Sequence, residues 1–383
     1  MWLTLNFAWY ILFEEILKYK EVWGVKKEIF ASGRTELAGN HTDHQNGRIL
    51  ASAVDLGLYA KCETNDSNSV NIHSEGFEPF EVKLNRLVVT ATEFGSPKAL
   101  VRGMLSAFSD LGLKVGGFNA EIRSTLPSGS GLSSSAAFAV LIGKILSELF
   151  NDSQVDPLVI ARAAQQAENK FFGKPCGLMD QLVCALGKTV YVDFLTGEIE
   201  PLDADFSAMG LTLCLTDTGG SHAGLDTSYA RIPNDMVYIA NQFNKGVLGE
   251  VDPQEFRSKG WDISNRPVRR ATHFFDENDR VPMMRDALKN KNGAEYMRLM
   301  NLSGRSSEDL LNNIVTSATG DTKLAQGLSV SKSLLEGKGA WRVHGGGFAG
   351  CVQALMPTQY FPHYKEEMEK VFGSGSCREI KLI

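Results

Sequence analysis

LPSGSGLSSSAAFAV, residues Leu126 to Val140, places two glycines (Gly129 and Gly131) and three consecutive serines (Ser133, Ser134 and Ser135) ahead of an apolar run. A helix start leaves backbone amides unpaired, its dipole favours negative charge, and glycine lets the backbone approach a ligand closely. The stretch from Gly129 to Ser135, with Ser130 and Leu132 between, therefore reads as an anion-binding bend. Its hydroxyls can cap the helix, donate to phosphate oxygens or ligate a hard cation such as magnesium. A plain serine-capped helix is the simpler alternative, but three serines in series exceed what one cap requires. No GxxxxGK[ST] occurs and no GxGxxG opens an early strand–helix unit, so a different phosphate-binding architecture is needed.

Working outward, the helix that follows the bend, 133 to 150, is apolar almost all round (Phe138, Val140, Leu141, Ile142, Ile145, Leu146, Leu149), the pattern of a buried central helix. Upstream, 100 to 112 sets Val101, Met104, Leu105, Phe108 and Leu111 on one helical face. Period-two alternation marks strands in GLYAKCET (Leu58, Ala60, Cys62), GFNAEIRS (Phe118, Ala120, Ile122), TVYVDF (Val190, Val192, Phe194) and LTLCLT (Leu211, Leu213, Leu215). The second half is more helical from 234 to 313 and closes on strand signals around WRVHGGGFAGCVQALM. The mixture is α+β. TGEIEPLDADFSAMG (196 to 210) is a turn-rich acidic connector, and a domain boundary is expected near 200.

The 383 residues exceed one ordinary core and suit two domains. A net charge of −6 argues against nucleic acid as the main partner. Six dispersed cysteines without a CxxC pair read as reduced thiols of a cytosolic protein. The opening MWLTLNFAWYILFEEILKY is apolar but lacks a basic start, and Glu14 and Glu15 interrupt it well short of a membrane span. An amphipathic helix packed on the domain is expected there.

Three further segments carry chemistry. GRTELAGNHTDHQNG (33 to 47) combines a guanidinium, an imidazole and a carboxylate beside an Asn46-Gly47 turn, a cluster suited to gripping several hydroxyls or a phosphate. In AENKFFGKPCGLMDQ (167 to 181), Asp180 follows a Gly173/Pro175/Gly177 break and opens a new apolar-periodic segment, so a helix N-terminus should keep it ionised and able to accept a proton. WRVHGGGFAGC (341 to 351) carries a triple glycine, which alone signals only close backbone packing.

PSGSGLSSSAA resembles the second motif of the GHMP small-molecule kinases, P-x-G-x-G-L-S-S-S-A, which wraps the phosphates of ATP. GRTELAGNHTDHQNG is similar to the galactokinase signature GRVNLIGEHTDYNGG, and WRVHGGGFAGC to the third motif, usually MTGGGFGGC. AENKFFGKPCGLMDQ is similar to the segment AE-x-x-F-x-G-x-P-C-G-x-M-D-Q. DTGGSHAGLDTSY (217 to 229) and LMNLSGRSSEDLL (299 to 311) stand where galactokinases carry a sugar-contacting tyrosine and a lid-side helix. The resemblance implies an α+β, two-domain GHMP kinase fold. Its N-terminal domain, 1 to 200, would be like ribosomal protein S5 domain 2, and its C-terminal domain, 201 to 383, ferredoxin-like, with the last strand free to return to the N-terminal domain.

By the same resemblance the chain is an ATP-dependent sugar 1-kinase of the galactokinase branch, a cytoplasmic monomer using Mg2+, with no nucleic-acid or membrane partner. Asp180 is the implied catalytic base and Arg34 the stabiliser of charge on the transferred group. Gly129, Ser130, Gly131, Leu132, Ser133, Ser134 and Ser135 would hold ATP, with Ser74 also touching the nucleotide. Ser135 and Glu168 would ligate Mg2+, and Asn40, His41, Thr42, Asp43, Gly177 and Tyr229 would bind the sugar. The chain departs from the family at Ser32 (usually Pro), Asn40 (usually Glu), Ser221 (usually Arg) and Gly304 (usually His). The lost glutamate leaves open a related sugar such as N-acetylgalactosamine, galacturonate or arabinose. A non-catalytic galactose- and ATP-binding sensor is the alternative from another class.

Overall fold

The computed structural model describes residues 26–127, 131–220, 224–315 and 320–383. The helix expected in the opening segment, together with Gly129, Ser130 and Ser221, lies outside the described residues. The chain divides into two compact units, and neither is a continuous stretch. The first takes the chain up to Ala31, Leu58–Ser124 and Phe138–Lys174; the second takes Ser32–Gly57, Thr125–Ala137 and Pro175–Ile383.

Two long strands, β1 (Lys27–Ala38) and β2 (Arg48–Thr64), begin the fold, and each contributes residues to both units. In the first unit, β3 (Ser69–Ser74) pairs antiparallel with β4 (Phe80–Lys83) and parallel with β5 (Phe118–Ser124). β5 in turn pairs antiparallel with the end of β2, Ala60 opposite Ile122 and Cys62 opposite Ala120. Leu58, Ala60, Cys62, Phe118, Ala120 and Ile122 are all buried, as their alternation predicts. Helix α1 (Pro97–Asp110) starts where Ser96 accepts from the Ala99 amide and Pro97 occupies the first turn, and it buries Val101, Met104, Leu105 and Phe108. Leu111 falls past its end and is exposed, because the helix stops one residue before that position. Helix α2 (Ser134–Phe150) is buried along Val140, Leu141, Ile142, Ile145 and Leu146, and α3 (Pro157–Gln166) is capped by Asp156.

In the second unit, α4 (Met179–Leu186) leads into β6 (Thr189–Asp193), which pairs with the start of β2 and with β7 (Glu198–Leu202). A four-stranded antiparallel sheet follows. It is built from β8 (Leu211–Asp217), β9 (Ala340–His344), β10 (Cys351–Pro357) and β11 (Cys377–Glu379), in the order β11–β8–β10–β9. Between β8 and β9 run α5 (Asp226–Asn241), α6 (Pro253–Ser258), α7 (Arg266–Lys289), α8 (Gly293–Ser306) and α9 (Lys323–Leu335); α10 (Phe361–Phe372) precedes β11. One core gathers Ile232, Met236, Phe256, Phe274, Phe275 and Phe348, and another Cys214, Leu335, Met356, Tyr364 and Met368. The chain end returns to β2, where Asp55 donates to the Lys381 carbonyl at 3.1 Å and Ile383 to Ala53 at 3.0 Å.

The partition does not fall at 200. The connector at 196 to 210 joins β7 to β8 inside the second unit, and residues 32–57 and 125–137 pack with the later chain. The cause is strand and helix length: β1, β2 and α2 each run on past the edge of one compact unit.

Candidate active site

Arg34 and Asp180 meet inside the second unit. Arg34 Nε donates to Asp180 Oδ1 at 2.7 Å and its Nη1 donates to the Gly131 carbonyl at 2.7 Å. The Arg34 amide donates to the Leu132 carbonyl at 3.2 Å, so β1 is tied to the bend by backbone as well as side chain. On the other oxygen, Ser133 Oγ donates to Asp180 Oδ2 at 2.6 Å. Asp180 sits in the first turn of α4, as its position after the Gly-Pro break predicts. Burial works against the charge of Arg34, and the Asp180 carboxylate more than restores it.

The bend itself is strained where it turns into α2. Gly131 stands at φ +68° and Ser133 at φ +60°, a conformation that costs a serine energy and tends to persist at functional sites. Ser133 also accepts the Ala137 amide at 2.9 Å, opening the helix. The first amides of α2 have no partner within the helix, and with Ser134 exposed and Ser135 half-buried the helix start is suited to an anion.

The 39–47 turn supplies the polar cluster. Asp43 Oδ1 accepts from the His44 amide at 2.9 Å. Burial pushes the Asp43 carboxyl up, and the nearby Asp180 charge adds to it. Any side chain at Gly177 would overlap the Asp43 carboxylate, which explains the glycine. The Gly346 carbonyl only accepts, so His41 Nε2 at 3.0 Å carries the proton, and His41 Nδ1 then accepts from His44 Nε2 at 3.2 Å. Burial holds His41 down to about 3 and His44 to about 4, so both imidazoles are neutral near pH 7. Tyr229 donates to the Gly347 carbonyl at 2.7 Å and lies against Gly346.

Two of the expected sugar contacts are spent elsewhere. Asn40, 1% exposed, donates to the Glu36 carboxylate at 3.2 Å and the Gly345 carbonyl at 2.7 Å, while its oxygen accepts from Ser307 at 3.2 Å and Asn313 at 3.1 Å. Both of its donors and both acceptor positions are taken by the protein, so it supports the turn rather than facing a ligand. Thr42, fully buried, directs its hydroxyl at the Gly39 and Arg48 carbonyls, 2.8 and 2.6 Å away, and is likewise scaffold. At Gly304 a side chain would begin 2.8 Å from the Trp341 carbonyl, so a histidine has no room.

Glu36 was not singled out by the sequence reading. It forms a buried ion pair with Arg342 at 2.9 Å, and Arg342 also reaches Gln353 at 2.9 Å and Ser303 at 3.2 Å. Ser303 donates to Glu277 at 2.8 Å, Glu277 accepts the Gly39 amide at 3.0 Å and pairs with Arg280, and His273 holds the Asn40 carbonyl at 2.9 Å. The signal was present: GRVNLIGEHTDYNGG has Asn where this chain has Glu36 and Glu where it has Asn40. The carboxylate and the carboxamide have exchanged places within one hydrogen-bonded pair.

Ser74 and Glu168 belong to the first unit. Ser74 ends β3, partly exposed. Glu168 is fully buried in a wide π-helical turn, Ala167–Phe172, with Lys174 Nζ 3.8 Å from its carboxylate. The hydroxyl of Ser135 and the carboxylate of Glu168 are hard oxygen donors of the type magnesium takes alongside phosphate and water. Among the described residues no three His, Cys, Asp or Glu side chains gather as a metal cluster, no cysteine forms a disulfide, and no helix is long and apolar enough to cross a membrane.

The family description "GHMP kinases N terminal domain" matches residues 99–188, and "Galactokinase galactose-binding signature" matches 17–64. A galactokinase of Clostridium tetani is 30% identical over 356 residues, spanning 91% of this chain and 89% of its own. The crystal structure of Lactococcus lactis galactokinase complexed with galactose has a TM-score of 0.82 at 22% identity, covering 97% of this chain and 98% of that one. Mevalonate kinase of Methanococcus jannaschii gives 0.66 at 16% identity, over 94% and 99% of the two chains.

Proposed function

From the premise that this chain belongs to the galactokinases of the GHMP kinase fold, we propose that it transfers the γ-phosphoryl group of ATP to the anomeric hydroxyl of galactose through Asp180, Arg34 and the bend at Gly131–Ser135. The observation that carries the mechanism is the Arg34–Asp180–Ser133 constellation, one carboxylate held on both oxygens beside a helix start. Phosphoryl transfer asks mainly for positioning and charge stabilisation. The amides and hydroxyls of the bend hold the phosphates. Asp180 orients the sugar hydroxyl and accepts its proton as the oxygen–phosphorus bond forms. Arg34, permanently charged, offsets the negative charge of the transferred group.

Asp43, His41 and Tyr229 are the proposed sugar contacts, with Gly177 leaving space for the Asp43 carboxylate. Magnesium, when bound, would neutralise charge on the phosphates, with the Ser135 hydroxyl supplying an oxygen. A monomer in the cytoplasm completes the proposal; six cysteines without a disulfide fit a reducing compartment. A second reading keeps the chemistry and changes the sugar to a galactose variant, favoured by the inward-turned Asn40. Coupled ADP release over a sugar panel, with phosphorus NMR of the product, tests both. Galactose 1-phosphate formation supports the first, faster turnover of a substituted or oxidised analogue supports the second, and silence with every sugar from folded protein overturns the kinase mechanism.

A further inference from the structure

Asn313, fully buried two residues past the turn Ser307–Leu311, belongs to none of the motifs and plays no part in the mechanism above. Its carboxamide nitrogen lies 3.1 Å from Asn40 Oδ1 and 3.2 Å from the Gly346 carbonyl oxygen. Both neighbours accept: a carbonyl has no proton to give, and Asn40 spends its own nitrogen on Glu36 and Gly345. The orientation of the Asn313 amide is thereby fixed, with both N–H groups donating. Its Oδ1 is buried with no hydrogen-bond partner among the described residues, so what the side chain does for its surroundings it does through those two donors.

The two donors join the 39–47 turn to the third glycine segment. Each carbonyl of that segment is held from the candidate sugar site or its support: Gly345 by Asn40 at 2.7 Å, Gly346 by His41 at 3.0 Å as well as by Asn313, and Gly347 by Tyr229 at 2.7 Å. The Asn313 carbonyl also accepts the Phe348 amide, and a side chain at Gly347 would overlap that carbonyl, so only glycine lets the segment lie against Asn313. We propose that Asn313 is a positioning residue for the sugar, its two N–H groups clamping the turn to the glycine segment so that His41 and Tyr229 keep the arrangement that receives galactose. Without the clamp the Gly346 carbonyl is left to His41 and Asn40 Oδ1 to Ser307. Gly345 at φ +69° and Gly347 at φ +77° then give the segment freedom to shift. The bend at Gly131–Ser135 is tied to β1 through Arg34 instead, so ATP binding is spared.

With galactose as the sugar, on which this role depends, Asn313→Ala is expected to raise KM for galactose about tenfold, with kcat and KM for ATP each within about threefold of the parent. A purely structural role would lower the amount of folded enzyme and leave both KM values alone. Because His41 and Asn313 meet on one carbonyl, their effects should not add: in a His41→Ala background the rise from Asn313→Ala should shrink to about threefold or less. An unchanged KM for galactose, an equal rise in both KM values, or full additivity with His41→Ala overturns the proposal. Should Asn313→Ala not fold, Asn313→Ser, whose hydroxyl can donate once, is measured instead; a rise of about threefold is expected and none is fatal. Calorimetry with galactose separates this role from the activity it serves. A parent protein that binds no galactose overturns the kinase reading and this role with it, whereas equal binding by parent and variant overturns the role alone.

Discussion

Asp180 receives Arg34 on one oxygen and Ser133 on the other, and both donors help to fix the carboxylate plane. Asp180→Asn can keep both contacts, its oxygen accepting from Arg34 and its NH2 donating to the Ser133 hydroxyl, but it removes the proton acceptor. A fall in kcat of about 10²- to 10⁴-fold, with the melting temperature little changed, is expected in the ADP-release assay; activity within a few-fold of the parent would remove Asp180 from the base role. The exchanged pair offers a sharper test. Asn40→Glu alone would set a second buried carboxylate beside Glu36 and should destabilise the protein by about 2–4 kcal/mol in chemical denaturation. Adding Glu36→Asn restores one acid and one amide, and should recover at least half of that loss. Arg34, Asp180 and Ser133 were legible because their types and spacing are the chemistry. The inward turn of Asn40 was not, because orientation at a turn depends on partners such as Ser307 and Asn313, more than 260 residues away in sequence.

The turn at 39–47 keeps its shape because α7 and α8 reach under it. Glu277, fully buried on α7, gathers the Gly39 amide, Ser303 of α8 and Arg280. Its carboxyl is held down to about 2, since the charges of Arg280, His273 and Arg342 outweigh burial. Removing one partner of such a buried network leaves the others uncompensated. Glu277→Ala should therefore cost about 3–5 kcal/mol of stability and raise KM for galactose more than KM for ATP, read by denaturation and initial rates. An equal rise in both constants would mean that the turn does not serve the sugar separately. At this scale the strands were readable, because period-two alternation buries one face of each pair. The helix over 100 to 112 was displaced to Pro97–Asp110 because Ser96-Pro97 is a stronger start signal than the apolar pattern alone. The placing of the units was not readable: β1 and β2 look like ordinary strands until their lengths are known.

At the scale of the whole molecule, four histidines among the described residues are held below their usual range. His41 lies at about 3 and His44 at about 4, while His273 and His344 are also lowered, burial leading in each case. A histidine depressed by folding is protonated in the unfolded chain first. Its contribution to stability is complete above the unfolded value near 6.5 and is lost as pH falls toward the folded value, with a slope of about 1.4 kcal/mol per pH unit for each group. Glu36 and Asp43, raised mainly by burial, act in the opposite sense: their contribution is present at low pH and fades as pH rises through their folded values. The histidines outnumber them, so unfolding free energy should drop between pH 6.5 and 4.5, followed by urea denaturation at fixed ionic strength. His44→Gln isolates one member of the set. Between its unfolded value and about 4 the variant should show a shallower pH slope than the parent, by up to about 1.4 kcal/mol per pH unit. Parallel slopes would mean that His44 already takes up its proton in the folded protein, and then the neutral His41–His44 pair could not order the sugar turn below pH 6.5.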